Sequence, residues 1–176
     1  MPVVLARVDQ RFIHGQILAS GALARRRVNG VIVADKALCG NETVKRIYDR
    51  ALTMADPPIK NGALYVDPSG MRVLLDGKDA RGKRYLALFG DMAAVLAALD
   101  GGASFDSLNL GNFCSSSEDK IELYQGFLAG AAEIRELDEI ASRVRRIYFG
   151  PLDEPDTCYR PCAPAGGSIP AGRRGA

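Results

Sequence analysis

Tyr85-Leu86-Ala87-Leu88-Phe89, followed by Gly90-Asp91 and the apolar stretch Met92–Leu99, decides the fold class. A strand with one wet face alternates apolar and polar residues. These five are apolar throughout, as in a strand covered on both faces of a parallel sheet. Asp91 supplies a side-chain oxygen to cap a helix starting at Met92, and Gly101-Gly102 ends that helix. Working outward, Gly30–Ala34 repeats the pattern around Val31-Ile32-Val33, and shorter runs occupy Val3–Val8, Ala63–Val66, Ser107–Leu110 and Val144–Phe149. Between them, Val44, Ile47, Tyr48, Ala51, Leu52 and Ala55 recur at helical spacing in Asn41–Ala55, which Asn41 caps and Pro57-Pro58 stops. Gly15–Arg27 and Ala131–Arg143 read as further helices. Strand–helix alternation with short connections predicts an α/β fold built from right-handed crossovers.

The chain has 176 residues, enough for one domain with a continuous core. Residues 1–151 carry the alternating pattern. After Gly150-Pro151, Pro, Gly, Ala, Ser and Arg dominate, so 152–176 is expected to be a tail, mostly disordered or loosely laid on the surface. Within the domain, Ile121–Phe127 is compatible with helix or strand. Lys+Arg number 23 and Asp+Glu 21, a formal charge of +2, which excludes a strongly basic nucleic-acid footprint. The N-terminal segment lacks the pattern of a signal peptide, and no uncharged apolar run approaches the ~18–20 residues that cross a bilayer. A cytoplasmic protein with reduced thiols is expected. The cysteines at 39, 114, 158 and 162 read as structural or incidental, because Cys158 and Cys162 alone do not make a four-ligand zinc site.

The single histidine narrows the chemistry. Any imidazole catalysis falls to His14, in Arg7-Val8-Asp9-Gln10-Arg11-Phe12-Ile13-His14-Gly15-Gln16. This segment follows the first strand, where open parallel sheets place their ligands. Two arginines suit a phosphoryl group, and Gly15 permits close approach of the backbone. His14 is the candidate nucleophile. Asp9 has two readings, orienting the ring or positioning an arginine.

Arg7-x-Asp9-x-Arg11-x-Ile13-His14-Gly15-Gln16 closely resembles the active-site signature of the enzyme IIB component of the mannose/fructose/sorbose-type bacterial phosphotransferase system. Gly30–Asp35, Ala55-Asp56-Pro57-Pro58 and Phe105–Phe113 resemble further family segments, so the likeness spans Val3 to about Pro151. The resemblance implies a three-layer, mostly parallel β-sheet with helices on both faces, and an antiparallel edge strand around Ile121–Phe127. It also implies a histidine phosphocarrier without metal or organic cofactor. His14 then accepts a phosphoryl group at Nδ1 from a IIA protein and passes it to sugar bound by the membrane IIC/IID permease. Arg11 joins His14 in catalysis, Arg7, Asp9, Gly15 and Gln16 surround the phosphate, and Asp35 and Asn109 border the crevice. Peripheral attachment to the inner membrane face follows from the permease, and a homodimer is compatible with the resemblance.

The family's basic, glycine-containing segment after the Asn-x-Gly motif is replaced here by Cys114-Ser115-Ser116-Ser117-Glu118-Asp119-Lys120. That departure leaves two other readings open: a regulatory phospho-acceptor module without sugar transport, and a protein that binds phosphate or another anion without a covalent adduct. Arg25-Arg26-Arg27 reads as cations at a helix end, where they complement the dipole.

Overall fold

The computed structural model describes residues 2–60, 62–152 and 156–161. Strands β1 (Val3–Val8), β2 (Gly30–Ala34), β3 (Ala63–Val66), β4 (Tyr85–Phe89) and β5 (Ser107–Leu110) have the limits expected from their apolar runs. The last strand of the main sheet, Arg146–Phe149, begins two residues later than the pattern suggested. Before it lie β6 (Phe113–Cys114), β7 (Ile121–Tyr124) and β8 (Phe127–Ala129), making the last strand β9. The six-stranded sheet runs β3-β2-β4-β1-β5-β9 with every pair parallel. All five residues of β4 are buried between β2 and β1, so no polar side chain has a place on either face.

Side chains of successive strand residues point to opposite faces. On one face Leu5, Val31, Val33, Leu86 and Leu88 pack against Ile17 of α1 (Gly15–Leu18), Leu23 of α2 (Gly21–Arg25) and Leu52 of α3 (Glu42–Thr53). On the other, Val8, Ile32, Ala87, Phe89 and Leu108 share a core with three helices: α4 (Met71–Asp76), α5 (Met92–Asp100) and α6 (Ala131–Arg143). The molecule is therefore the three-layer α/β architecture. Asn41 and Asp91 cap α3 and α5 as their positions require, accepting from Val44 N at 3.1 Å and Ala94 N at 2.7 Å.

Two further elements differ from expectation. Gly15–Arg27 is not one helix but α1 and α2, because the Ser20 hydroxyl accepts from Ala22 N at 3.2 Å and starts a new helix. The antiparallel pairing near Ile121–Phe127 is not at an edge of the main sheet. It joins β7 to β8 in a separate sheet, order β6-β8-β7, whose Phe127 packs on Phe113 and Phe149. Within the expected tail, the described residues 156–161 lie along β9. Phe149 N donates to Thr157 O and Tyr159 N to Ile147 O, an antiparallel bridge joins Tyr148 to Cys158, and the Tyr159 ring contacts Phe149. The free edge of β9 and an aromatic anchor account for that placement. Cys162, the partner in any Cys158–Cys162 clip, lies outside the described residues, as does the rest of the tail to Ala176.

Candidate functional site

The connection after β1 leads toward β2 and the one after β5 leads toward β9, on opposite sides of the β1–β5 pair. Adjacent strands whose connections diverge leave a crevice at their carboxyl ends. The histidine loop enters this crevice. Asp9 N donates to Phe89 O at 2.9 Å, extending the ladder by one residue and leaving the Asp9 side chain 0% exposed. Phe12 N closes a tight turn on Asp9 O at 2.9 Å, with Phe12 in the left-handed region at φ 50°. Such backbone in a bulky residue costs about 1–3 kcal/mol and persists only when its surroundings impose it. Here the buried Phe12 and Ile13 side chains anchor the loop in the core of α1–α3. His14 follows in extended conformation, and its carbonyl accepts from Ile17 N and Leu18 N to begin α1.

Asp9 is the hub. Arg7 Nε and Nη2 donate to its Oδ2 at 3.1 and 2.9 Å, while Arg11 N and Nε donate to Oδ1 at 3.1 and 3.4 Å. His14 Nε2 lies 3.0 Å from Oδ2. Asp9 thus contacts both the ring and the two arginines. Burial pushes its carboxyl up, but the His14 hydrogen bond and the charge and hydrogen bonds of Arg7 outweigh burial and hold it at about 2. An ionised carboxylate only accepts, so the proton of this contact sits on His14 Nε2. The lone pair of the neutral ring is then on Nδ1.

The arginines are placed differently. Arg7 is 7% exposed, and four of its five N–H donors are engaged, since Nη1 also reaches Asn109 Oδ1 and Gly150 O. Arg11 is 47% exposed, with Nη2 on Gln16 Oε1 at 3.1 Å. Both arginines and Gln16 line a cleft of about 590 Å³ together with Gly111, Asn112 and Gly150. His14 and Asp9 lie outside its walls. A Cβ added to Gly15 would meet nothing within 4 Å, so the space above that backbone is open.

The two residues expected to border the crevice also make hydrogen bonds that hold the fold. Asn109 is fully buried and bridges Arg7 to Tyr148 O and Gly150 O. Asp35 Oδ1 accepts from Leu38 N at 2.8 Å, bracing the turn after β2. Lys120, the one cation in the altered loop, donates to Ser115 O. Sequence reasoning missed Gly150, whose contribution is a backbone carbonyl without side-chain signal. It also missed Gln10, whose amide exchanges hydrogen bonds with the backbone of Cys114. Among the described residues, no three His, Cys, Asp or Glu side chains are grouped to hold a metal ion, and no helix is long and apolar enough to cross a membrane.

Solved structures share this arrangement of elements. The manxB structure from Thermoanaerobacter tengcongensis is 22% identical, with a TM-score of 0.73 over 88% of this chain and 89% of that one. The IIBSor domain of the sorbose permease from Klebsiella pneumoniae is 18% identical, with a TM-score of 0.75 over 90% and 93%. The N-acetylgalactosamine-specific IIB component 1 from Escherichia coli is 18% identical, with a TM-score of 0.73 over 90% and 98%. These likenesses establish the fold. A comparison with curated proteins finds no match. The family described as "PTS system sorbose subfamily IIB component" matches residues 3–149, from the first residue of β1 to the last of β9. With a family match over that length, the chain belongs to the sorbose subfamily of IIB components of the sugar phosphotransferase system.

Proposed function

We propose that His14 carries the phosphoryl group, accepting it on Nδ1 from a phosphohistidine of a IIA protein and delivering it to sugar in a membrane IIC/IID permease. The observation that carries this reading is the 3.0 Å contact between His14 Nε2 and the buried Asp9 carboxylate. The Nδ1 lone pair forms the new N–P bond while the donor's N–P bond breaks and its electron pair returns to the donor ring. The product ring bears a proton on Nε2 and phosphorus on Nδ1, and is cationic. Asp9 faces that developing charge, the arrangement by which a carboxylate steadies a catalytic imidazolium. When a sugar hydroxyl attacks the phosphorus, its proton passes to a base or water on the permease side, the N–P pair returns to Nδ1, and the ring is neutral again.

Asp9 is therefore an orienting residue rather than a phosphate ligand, since a carboxylate repels a phosphoryl group. Arg7, with most of its donors engaged, holds Asp9 in place. Arg11 is the cation free enough to follow the transferring oxygens, and the open space at Gly15 admits them beside the backbone. The protein works at the inner face of the membrane, beside its permease. Incubation with a phosphoenolpyruvate-driven relay and intact-mass measurement tests the reading. One acid-labile phosphate is expected on the native chain and none on His14→Ala. Absence of a covalent adduct on the native chain, with phosphate bound reversibly, would establish the non-covalent alternative.

A further inference from the structure

We propose a second anion site at the opposite pole of the sheet, taking a small molecule that bears a multiply charged phosphate group. The amino ends of β1, β5 and β9 enclose a cleft of about 290 Å³ whose rim carries Arg26, Arg84, Arg145 and Arg146. Val3, Leu5 and Phe105 also border it, but they are buried in the two cores, so the surface the cleft offers is mostly polar and its charge comes chiefly from the guanidinium groups. Asp106 is the one carboxylate in the lining, and among the described residues it forms no ion pair with any of the four arginines. Arg84 is pre-positioned, its Nε donating to Arg26 O at 2.7 Å at the end of α2.

Four like charges around one concavity repel each other and raise its positive potential, and a bound polyanion relieves that repulsion. Guanidinium forks match phosphate oxygens with charge-assisted hydrogen bonds. The concave shape fits a compact anion better than a flat charged surface. The six residues of β1, at ~3.3 Å each, separate this site from the His14 loop, and the two clefts share no lining residue.

Inorganic pyrophosphate is the probe, measured by calorimetry and by amide shifts in nuclear magnetic resonance on the full chain. Saturable binding with shifts at Ser107 and Arg146 is expected, and His14→Ala retains it. Arg145→Ala/Arg146→Ala, both at exposed positions, should weaken binding by at least about tenfold, with circular dichroism and phosphoryl acceptance at His14 unchanged. Vesicles containing phosphatidylglycerol separate a lipid headgroup from a free phosphate: co-sedimentation at physiological salt should be absent or abolished by pyrophosphate. No pyrophosphate binding, shifts confined to the His14 loop, equal binding by the double variant, or vesicle binding that pyrophosphate cannot displace would each overturn the proposal.

Discussion

Asp9 is fully buried, yet three basic side chains converge on it, so its charge is both the most constrained and the most consequential in the loop. Its carboxyl titrates at about 2 in the fold against 3.8 ordinarily. A lowered carboxyl stabilises the fold above its ordinary value, and the stabilisation is lost as pH falls toward 2. Asp9→Asn should cost about 2–3 kcal/mol near neutral pH and flatten acid unfolding between pH 4 and 2, as read by urea titrations across that range. Phosphoryl acceptance should fall as well, because an amide does not offset an imidazolium. Gly15 poses the converse case. Nothing in the protein occupies the space of a Cβ there, so Gly15→Ala should leave thermal stability within a few tenths of a kcal/mol while slowing phosphoryl transfer. A rate equal to the native one would remove Gly15 from the phosphate's path.

At the scale of elements, the site depends on where strands stop. Gly111, one residue past β5, sits against the Arg7 guanidinium, and an added Cβ would collide with Arg7 Nη2, Cζ and Nε. Gly111→Ala should displace Arg7 from Asp9, lower stability by about 1–3 kcal/mol and reduce phosphoryl acceptance, measured by denaturation and relay assay together. Legibility at this scale followed the length of the apolar run, since β3 was readable to the residue although none of its residues is buried. Val3–Val8, Gly30–Ala34 and Tyr85–Phe89, whose faces both exclude water, were equally readable. The small β6-β8-β7 sheet was not: two to four residues carry too little periodicity, and β7 is half exposed. The break between α1 and α2 turns on one hydroxyl at Ser20, which apolar spacing does not register. Met71–Asp76 is short and lacks a side-chain cap, so its sequence carries no start signal.

Across the whole molecule, the parallel sheet places its carboxyl ends, and with them the loops after β1, β5 and β9, around one crevice. The loop chemistry was legible because His14 is the chain's only imidazole and its neighbours share one short segment. The long-range contacts were not, because Asn109 and Gly150 join Arg7 only through the strand order. Asn109 could be placed at a strand end but not in the buried bridge it forms. That lone imidazole also makes the central claim directly measurable. In the chain labelled with ¹⁵N-histidine and phosphorylated by the relay, one imidazole gives one pair of ring-nitrogen signals. Phosphorus coupled to Nδ1 with the proton retained on Nε2 is the result expected from the Asp9 contact. Phosphorus on Nε2, or none on His14, would contradict it.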